Sequence, residues 1–414
     1  MKWQKYSAYK NSGVEWLGEI PENWGVRKLK YLFHIGRGRV ISQEELDDDG
    51  IYPVYSSQTK NNGILGYIKT FDFDCKQITW TTDGANAGTV FLREGKHNCT
   101  NVCGTLQQKR NDEIIEFLNY SLQITAKFYK RPDTNGAKIM NNEMAEILVT
   151  YPPKQEQIKI ANYLDQKTAQ IDKAISLKEQ MIERLGEQRQ ILINDAVTKG
   201  LDKTVKMKDS GVEWIGRIPK HWEVEKGKRL FRQMKRPIKD EDEIITCFRD
   251  GEVTLRKNRR TDGFTNALKE HGYQGIRKGD LVIHNMDAFA GAIGISDSNG
   301  KSTPVYSVCI PWNEDLTLPE YYAYYLRHLA VQGFILSLAK GIRERSTDFR
   351  FNDFGELLFP VPPKVEQKEI MSYVNSITQK TQRVIALYQQ QIEKLKEYKA
   401  TLIDSVVTGK VRVV

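Results

Sequence analysis

The feature that most constrains this chain is a repeat with a period near 200 residues. Ser12-Gly13-Val14-Glu15-Trp16-Leu17-Gly18-Glu19-Ile20-Pro21-Glu22-Asn23-Trp24 returns as Ser210-Gly211-Val212-Glu213-Trp214-Ile215-Gly216-Arg217-Ile218-Pro219-Lys220-His221-Trp222, displaced by 210 − 12 = 198 positions with nine of thirteen residues identical. A second block, Pro152-Pro153-Lys154-Gln155-Glu156-Gln157, returns as Pro362-Pro363-Lys364-Val365-Glu366-Gln367, displaced by 362 − 152 = 210. A solenoid repeats every ~20 to 50 residues, so this spacing means two whole domains in tandem, each followed by the same connector. Between the matched blocks, residues 25–150 and 223–360 show little similarity beyond their ends. A repeated frame with different contents suggests one scaffold presenting two recognition surfaces.

The repeat divides the chain into an entry segment (1–24), a first variable domain (25–150), a first connector (151–200), a second entry segment (201–222), a second variable domain (223–360) and a second connector with the C-terminus (361–414). In the first connector, apolar residues recur at Leu164, Ile171, Ile175, Ile182, Leu185, Leu192 and Ala196, with Thr168, Lys178 and Arg189 in the gaps. That spacing of three and four is a heptad. Adding 210 to each position gives Val374, Thr381, Ile385, Ile392, Leu395, Leu402 and Val406, with Thr378, Tyr388 and Lys399 in the gaps. One such stripe fits an amphipathic helix packed on its own domain. Two in the same register predict helices that pair with each other, each about forty residues or ~60 Å long, with Gly186 the weak point inside the first. Gly200 and Gly409 are predicted to end them in the left-handed conformation.

The variable domains carry short strand-like runs, Gly50–Tyr55, Gln77–Thr81 and Gly88–Leu92 in the first and Asp280–His284 and Gly294–Ser296 in the second. Turns are expected at Asn62-Gly63 and Asp83-Gly84, and helices over Glu113–Tyr129 and Pro319–Leu338. Both domains read as mixed α/β, of the α+β kind.

An excess of 62 Lys and Arg over 53 Asp and Glu, a net +9, favours an anionic partner. Polar and basic loop clusters give the candidate contacts: Ser57, Gln58, Lys60, Asn61 and Asn62 in the first domain, and Arg256, Lys257, Asn258, Arg259, Arg260, Arg343 and Arg345 in the second. These side-chain types hold phosphates or pair with purine edges in the DNA major groove, although any single one more often lies on a plain solvated surface. The five cysteines, an odd number spread over a long chain, fit a reducing cytoplasm rather than a disulfide framework. No run approaches eighteen apolar residues, and the start has no apolar leader core, so neither a membrane nor secretion is expected.

Catalytic constellations are not evident. The chain has no phosphate-binding Gly-x-x-x-x-Gly-Lys-Ser/Thr loop and no His-Glu-x-x-His zinc helix. Its two Pro-Pro pairs sit in Tyr151-Pro152-Pro153-Lys154 and Val361-Pro362-Pro363-Lys364, not in the Asp/Asn-Pro-Pro-Tyr/Phe tetrapeptide of amino-methyltransferases. His97, Cys99 and Cys103 are soft donors, but a structural zinc takes four ligands, so buried thiols are the expectation and no metal site is assigned. Pro132-Asp133 lacks the Glu-x-Lys of a nuclease core.

Two divergent basic domains, each entered through Ser-Gly-Val-Glu-Trp-Leu/Ile-Gly-x-Ile-Pro-x-x-Trp and left through Pro-Pro-x-x-Glu-Gln and a long helix, resemble the specificity subunit of type I restriction-modification enzymes over essentially the whole chain. The resemblance implies that residues 25–150 and 223–360 are two target-recognition domains, each reading one half of a split DNA site. It implies that the two helices pair as an antiparallel coiled coil with pseudo-twofold symmetry, set the gap between half-sites and recruit two methyltransferase and two restriction-translocase subunits. S-adenosylmethionine, ATP and magnesium then belong to those partners, and this chain carries no cofactor. A stand-alone bivalent DNA-binding protein would also use basic loops and a rod, but leaves the duplicated Trp-rich segments unexplained. A purely structural coiled-coil protein leaves both variable domains without a use.

Overall fold

The computed structural model describes residues 4–110, 113–134, 136–259, 271–338 and 348–413. It divides into two compact units, Met1–Glu179 with Tyr388–Val414, and Gln180–Leu387. Each unit holds one variable domain, the start of one connector helix and the end of the other. The helices are longer than the heptads alone define, running Lys154–Lys199 and Lys364–Val407. Gly200 and Gly409 both have φ of +76°, the left-handed conformation that releases the chain from a helix.

In the first unit, Phe33–Arg37, Cys103–Gln108, Gln77–Thr81 and Val90–Arg93 form a four-stranded sheet in that order, antiparallel throughout. Helix Ile115–Thr125 covers it, burying Ile115, Phe117, Leu118 and Leu122 in one core with Ile78, Trp80 and Leu106. Gly104 is obligatory, because a Cβ there would enter the Trp80 ring. Strand Gly25–Lys28 pairs with Leu148–Tyr151, joining the two ends of the domain.

The second unit repeats this plan with different residues. Phe231–Met234, Tyr306–Pro311, Leu281–His284 and Ile293–Ile295 form an antiparallel sheet of the same order. Helix Pro319–Val331 covers it, with Tyr321, Tyr322, Tyr325 and Leu326 in the core, and Glu223–Lys226 pairs with Leu358–Val361. The domains differ in what is attached. The first adds a four-stranded sheet built on Tyr52–Tyr55 and Lys96–Cys99 and the hairpin Arg131–Asp133/Gly136–Lys138, whereas the second adds two two-stranded sheets.

Two local expectations are corrected. Asp83-Gly84 is a two-residue strand pairing with Ala137 and Lys138, because the hairpin gives its backbone a partner that the sequence could not show. The helix expected over Pro319–Leu338 breaks after Val331, where Gly333 takes φ +74°, and resumes as one turn at Phe334–Ser337.

The duplicated blocks hold each other. Trp24 Nε1 donates to Glu156 Oε2 at 3.0 Å, and Trp222 Nε1 donates to Glu366 Oε2 at 2.9 Å, so each entry tryptophan is tied to the first turn of a connector helix. Gln157 and Gln367, one residue on, donate to the carbonyls of Pro152 and Pro362 at 2.9 and 2.8 Å. Their Oε1 atoms accept the backbone N–H of Ile114 at 3.4 Å and Leu318 at 2.8 Å, the capping positions of the two domain helices. The Glu-Gln pair thus satisfies polar groups that burial would otherwise strand.

The far ends of the connector helices are also satisfied. Val407 carbonyl accepts from Thr150 Oγ1 at 2.6 Å in the first unit, and Val197 carbonyl from Tyr321 Oη at 2.7 Å in the second. The pairing of the connector helices is antiparallel within each unit. In the first, Asp172 meets Lys399 at 2.7 Å and Lys178 meets Gln391 at 2.6 Å, so the number falls on one helix as it rises on the other. In the second, Gly200 lies beside Glu366 while Arg189 shares a cleft with Thr378. Leu164, Ile171, Val374, Ile392 and Leu402 are buried; Ile175, Ile182, Leu185, Leu192, Ile385 and Leu395 are half-buried. No helix among the described residues is long and apolar enough to cross a membrane.

Candidate nucleic-acid interface

The first basic loop follows strand Tyr52–Tyr55 and is closed by Ser56 N–H on the Gly63 carbonyl at 2.9 Å. Asn61 and Asn62 sit at φ of +48° and +51°, a conformation that asparagine tolerates better than most residues. Beneath them Gly63 is buried over the Arg93 guanidinium, which lies 3.6 Å above the Tyr55 ring and 4.3 Å from that of Phe91. Arg93 is 3% exposed, and burial pulls its pKa down, although an arginine still keeps its charge. The loop therefore stands on a rigid cationic base. Gln58 spends its amide on the Ile64 carbonyl and Ser57 is half-buried. Lys60, Asn61 and Asn62 are exposed, with no side-chain hydrogen bond or ion pair among the described residues.

The second basic cluster is knitted to its own domain. Arg256 reaches Thr246 Oγ1 at 3.4 Å, Lys257 meets Glu243 at 2.6 Å, and Asn258 donates to Thr254 Oγ1 at 2.8 Å. Arg259 holds Asp250 at 2.7 Å and Glu252 at 2.8 Å and lies 4.2 Å from the Phe248 ring. Solvent screens exposed pairs of this kind, so they orient the cations without locking them away. Arg260, Arg343 and Arg345 lie outside the described residues.

Sequence reasoning missed two features. The first is an open cleft of about 1040 Å³ in the second domain, lined by Gln233, Lys235, Tyr273, Asn285 and Arg350 among others. Arg236 on its wall grips the buried Asp280, one arm at 3.1 Å, and Asn285 accepts from Ser307 at 2.8 Å. Only sheet topology gathers these residues, so no local pattern announces them. The second is a pair of lysine forks. Lys28 and Lys30 hold Glu146 at 2.6 and 2.7 Å, while Lys226 and Lys228 hold Glu356, pushing each carboxyl down to about 2. The repeated Lys-x-Lys spacing was the available signal.

His97, Cys99 and Cys103 serve the core of the first domain. His97 Nδ1 lies 2.7 Å from the Gly95 carbonyl, which only accepts, so Nδ1 carries the proton and Nε2 accepts from the Gln77 amide at 2.8 Å. Burial lowers the His97 pKa, raises that of the Cys99 thiol and pushes the Cys103 thiol up to about 11, which leaves neutral groups. No cluster of three or more His, Cys, Asp or Glu suited to a metal occurs among the described residues.

Residues 21–185 match the family model described as the type I restriction modification DNA specificity domain. Over 140 residues the chain is 46% identical to S.MpnORF289P of Mycoplasma pneumoniae, named as the N-terminus of a type I specificity subunit; the match spans 33% of this chain and 74% of that one. The specificity subunit of the type I restriction enzyme MpnII, from the same organism, is 41% identical over 138 residues, covering 33% of this chain and 42% of its own. Among solved structures, one from a study of assembly and conformational transition in a type I R-M system aligns over 94% of this chain and 98% of its own, with a TM-score of 0.66 at 13% identity. The HsdS subunit from Thermoanaerobacter tengcongensis aligns over 95% and 98%, with a TM-score of 0.50 at 14% identity.

Proposed function

The chain belongs to the family of type I restriction-modification specificity subunits, and on that premise we propose that it gives such a complex its DNA address. In this reading residues 25–150 and 223–360 each recognise one half of a bipartite site in duplex DNA. The single observation that carries the reading is a frame built twice to the same hydrogen bonds, Trp24–Glu156 and Trp222–Glu366, around two domains with different attachments. A shared frame gives both domains the same relation to their helices, while differing loops let them read different bases.

The physics of DNA binding divides the work. Lysine and arginine contacts to phosphate supply affinity that falls steeply with salt, and a few side chains at base edges supply specificity. Lys60, Asn61 and Asn62 are proposed to contact the first half-site, with Ser57 and Gln58 shaping their loop. Arg256, Lys257, Asn258 and Arg259, together with Arg260, Arg343 and Arg345, are proposed to serve the second. The paired connector helices set the gap between the half-sites.

The chain is proposed to be non-catalytic and to act in the cytoplasm. Two methyltransferase subunits dock on its frame, followed by two restriction-translocase subunits, and these bring S-adenosylmethionine, ATP and magnesium. The duplicated entry segments and helix starts favour this over a stand-alone DNA-binding protein, since a partner bound once is offered the same surface twice.

Long-read sequencing that detects methylated adenine, run on the source genome with the gene intact and deleted, tests the proposal. Loss of methylation at one split motif is expected, and it reads both half-sites and the gap together. Unchanged methylation in a strain whose partner subunits are expressed and active would overturn it.

A further inference from the structure

Within the unit Gln180–Leu387, the second domain meets both connector helices around a cleft of about 440 Å³. Arg189 comes from the first helix, Thr378 and Gln382 from the second, and Gly251 and Arg327 from the domain. The other charges on its wall are already matched. Asp250 and Glu252 are taken by Arg259 at 2.7 and 2.8 Å, and Arg249 has Asp287 at 2.8 Å. Arg189 and Arg327 have no hydrogen bond or ion pair among the described residues.

Arg327 is the costlier of the two. Its guanidinium lies against Gly251, where a Cβ would fall 2.6 Å from Cζ, so only a glycine, here at φ +88°, permits this seat. Burial lowers its pKa, against smaller opposing pulls from Tyr324, Asp250 and Cys247, and the charge of Arg189 adds the least. An arginine does not escape such a site by losing its proton, so the unfavourable charge calls for an anion from outside. The Thr378 hydroxyl is also buried, with no hydrogen-bond partner among the described residues. An adjoining cleft of about 500 Å³ shares Gly251, Tyr324 and Arg327 and adds Lys368.

We propose that this cleft binds one phosphate group, clamped between the Arg189 and Arg327 guanidinium groups with the Thr378 hydroxyl donating to it. Two planar forks and one hydroxyl match the several acceptor oxygens of a phosphate. Such a group comes either from the backbone of duplex DNA or from free inorganic phosphate. In both cases it ties the recognition domain to two helices at once.

The test melts the full-length chain in phosphate and in chloride at equal ionic strength, as parent, Arg327→Gln and Gln382→Glu. The parent is expected to gain a few degrees in phosphate and Arg327→Gln to gain none. Gln382→Glu supplies a carboxylate from within, so its Tm should rise in chloride and lose the phosphate response; it keeps the test readable if Arg327→Gln folds poorly. The second arm measures DNA affinity against salt for parent and Arg189→Gln. A slope reduced by about one contact identifies a DNA phosphate, and an unchanged slope with a surviving melting response identifies free phosphate. Equal phosphate gains in all three proteins, or no gain together with an unchanged slope, would overturn the site.

Discussion

Trp24 and Glu156, 132 positions apart in sequence, form a hydrogen bond of 3.0 Å that Trp222 and Glu366 reproduce at 2.9 Å in the other half. Around the first, Tyr6 Oη adds a bond to Glu156 at 2.6 Å; around the second, His221 Nε2 stands 2.8 Å from Glu366. With Asn23 Nδ2 donating at 3.4 Å, the Glu156 carboxylate serves three groups of its entry segment, and Glu366 serves two. Trp24 is 1% exposed and Trp222 fully buried, so neither indole N–H can turn to water. Glu156→Leu and Glu366→Leu should each destabilise their unit by about 1–3 kcal/mol for every orphaned donor, with Glu→Gln costing less. Urea unfolding of the full chain measures this, and Leu variants as stable as the parent would show that the bond does not hold the frame.

Charge in the helix seam gives a second expectation. Ile392 is 6% exposed and Ile182 half-buried, so aspartate at either place brings a carboxylate into an apolar seam. Ile182→Asp and Ile392→Asp should separate the helices at a cost of several kcal/mol and abolish capture of methyltransferase subunits in a pull-down. Retained assembly by both variants would speak against the paired frame as the docking platform.

Gly186 bears on the same seam from the opposite direction. It lies inside Lys154–Lys199, and an added Cβ meets nothing within 4 Å. Gly186→Ala should therefore stabilise the chain by about 0.5–1 kcal/mol, read as a higher melting temperature with DNA recognition unchanged. A loss of stability would reveal a local bend that the glycine permits.

Heptad insertion tests the ruler. Each unit holds the start of one connector helix and the end of the other, so one heptad has to enter both helices together. A heptad adds ~10.5 Å of helix, roughly 3 base pairs. Methylation mapping should find the same half-sites with a longer gap, and altered half-sites would refute the ruler.

The lysine forks predict a pH window. Glu146 and Glu356 drop from 4.5 to about 2 when folded, so their contribution is complete above pH 4.5 and fades as pH falls toward 2. Both carboxylates are exposed, which keeps the effect small. Carboxyl carbon chemical shifts of the two glutamates should titrate near 2 in the parent and near the ordinary value in Lys28→Met/Lys30→Met and Lys226→Met/Lys228→Met; a parent midpoint at 4.5 would dismiss the forks.

What the sequence determined by itself is the architecture that repetition and periodicity encode. Two matched blocks marked the two halves, and the heptads running from Leu164 to Leu192 and from Val374 to Leu402 name positions that are all buried or half-buried, because a 3.5-residue period projects onto one face of a helix whatever surrounds it. Gly200 and Gly409 were legible for a similar reason, since a left-handed residue after a helix is a local requirement. Tertiary structure alone decided what depends on residues far apart in sequence. It gave residues 25–150 and 223–360 the same four-strand order despite their different side chains, because backbone hydrogen bonds fix strand order while many apolar sets can fill the core. It paired Asp83-Gly84 with a hairpin more than fifty residues away, tied Lys257 and Arg259 to acids of their own domain, and left Arg189 and Arg327 facing one cleft with no ion pair among the described residues. Whether a charge is exposed, paired or stranded depends on which distant group the fold places within about 4 Å, and no spacing along the chain records that.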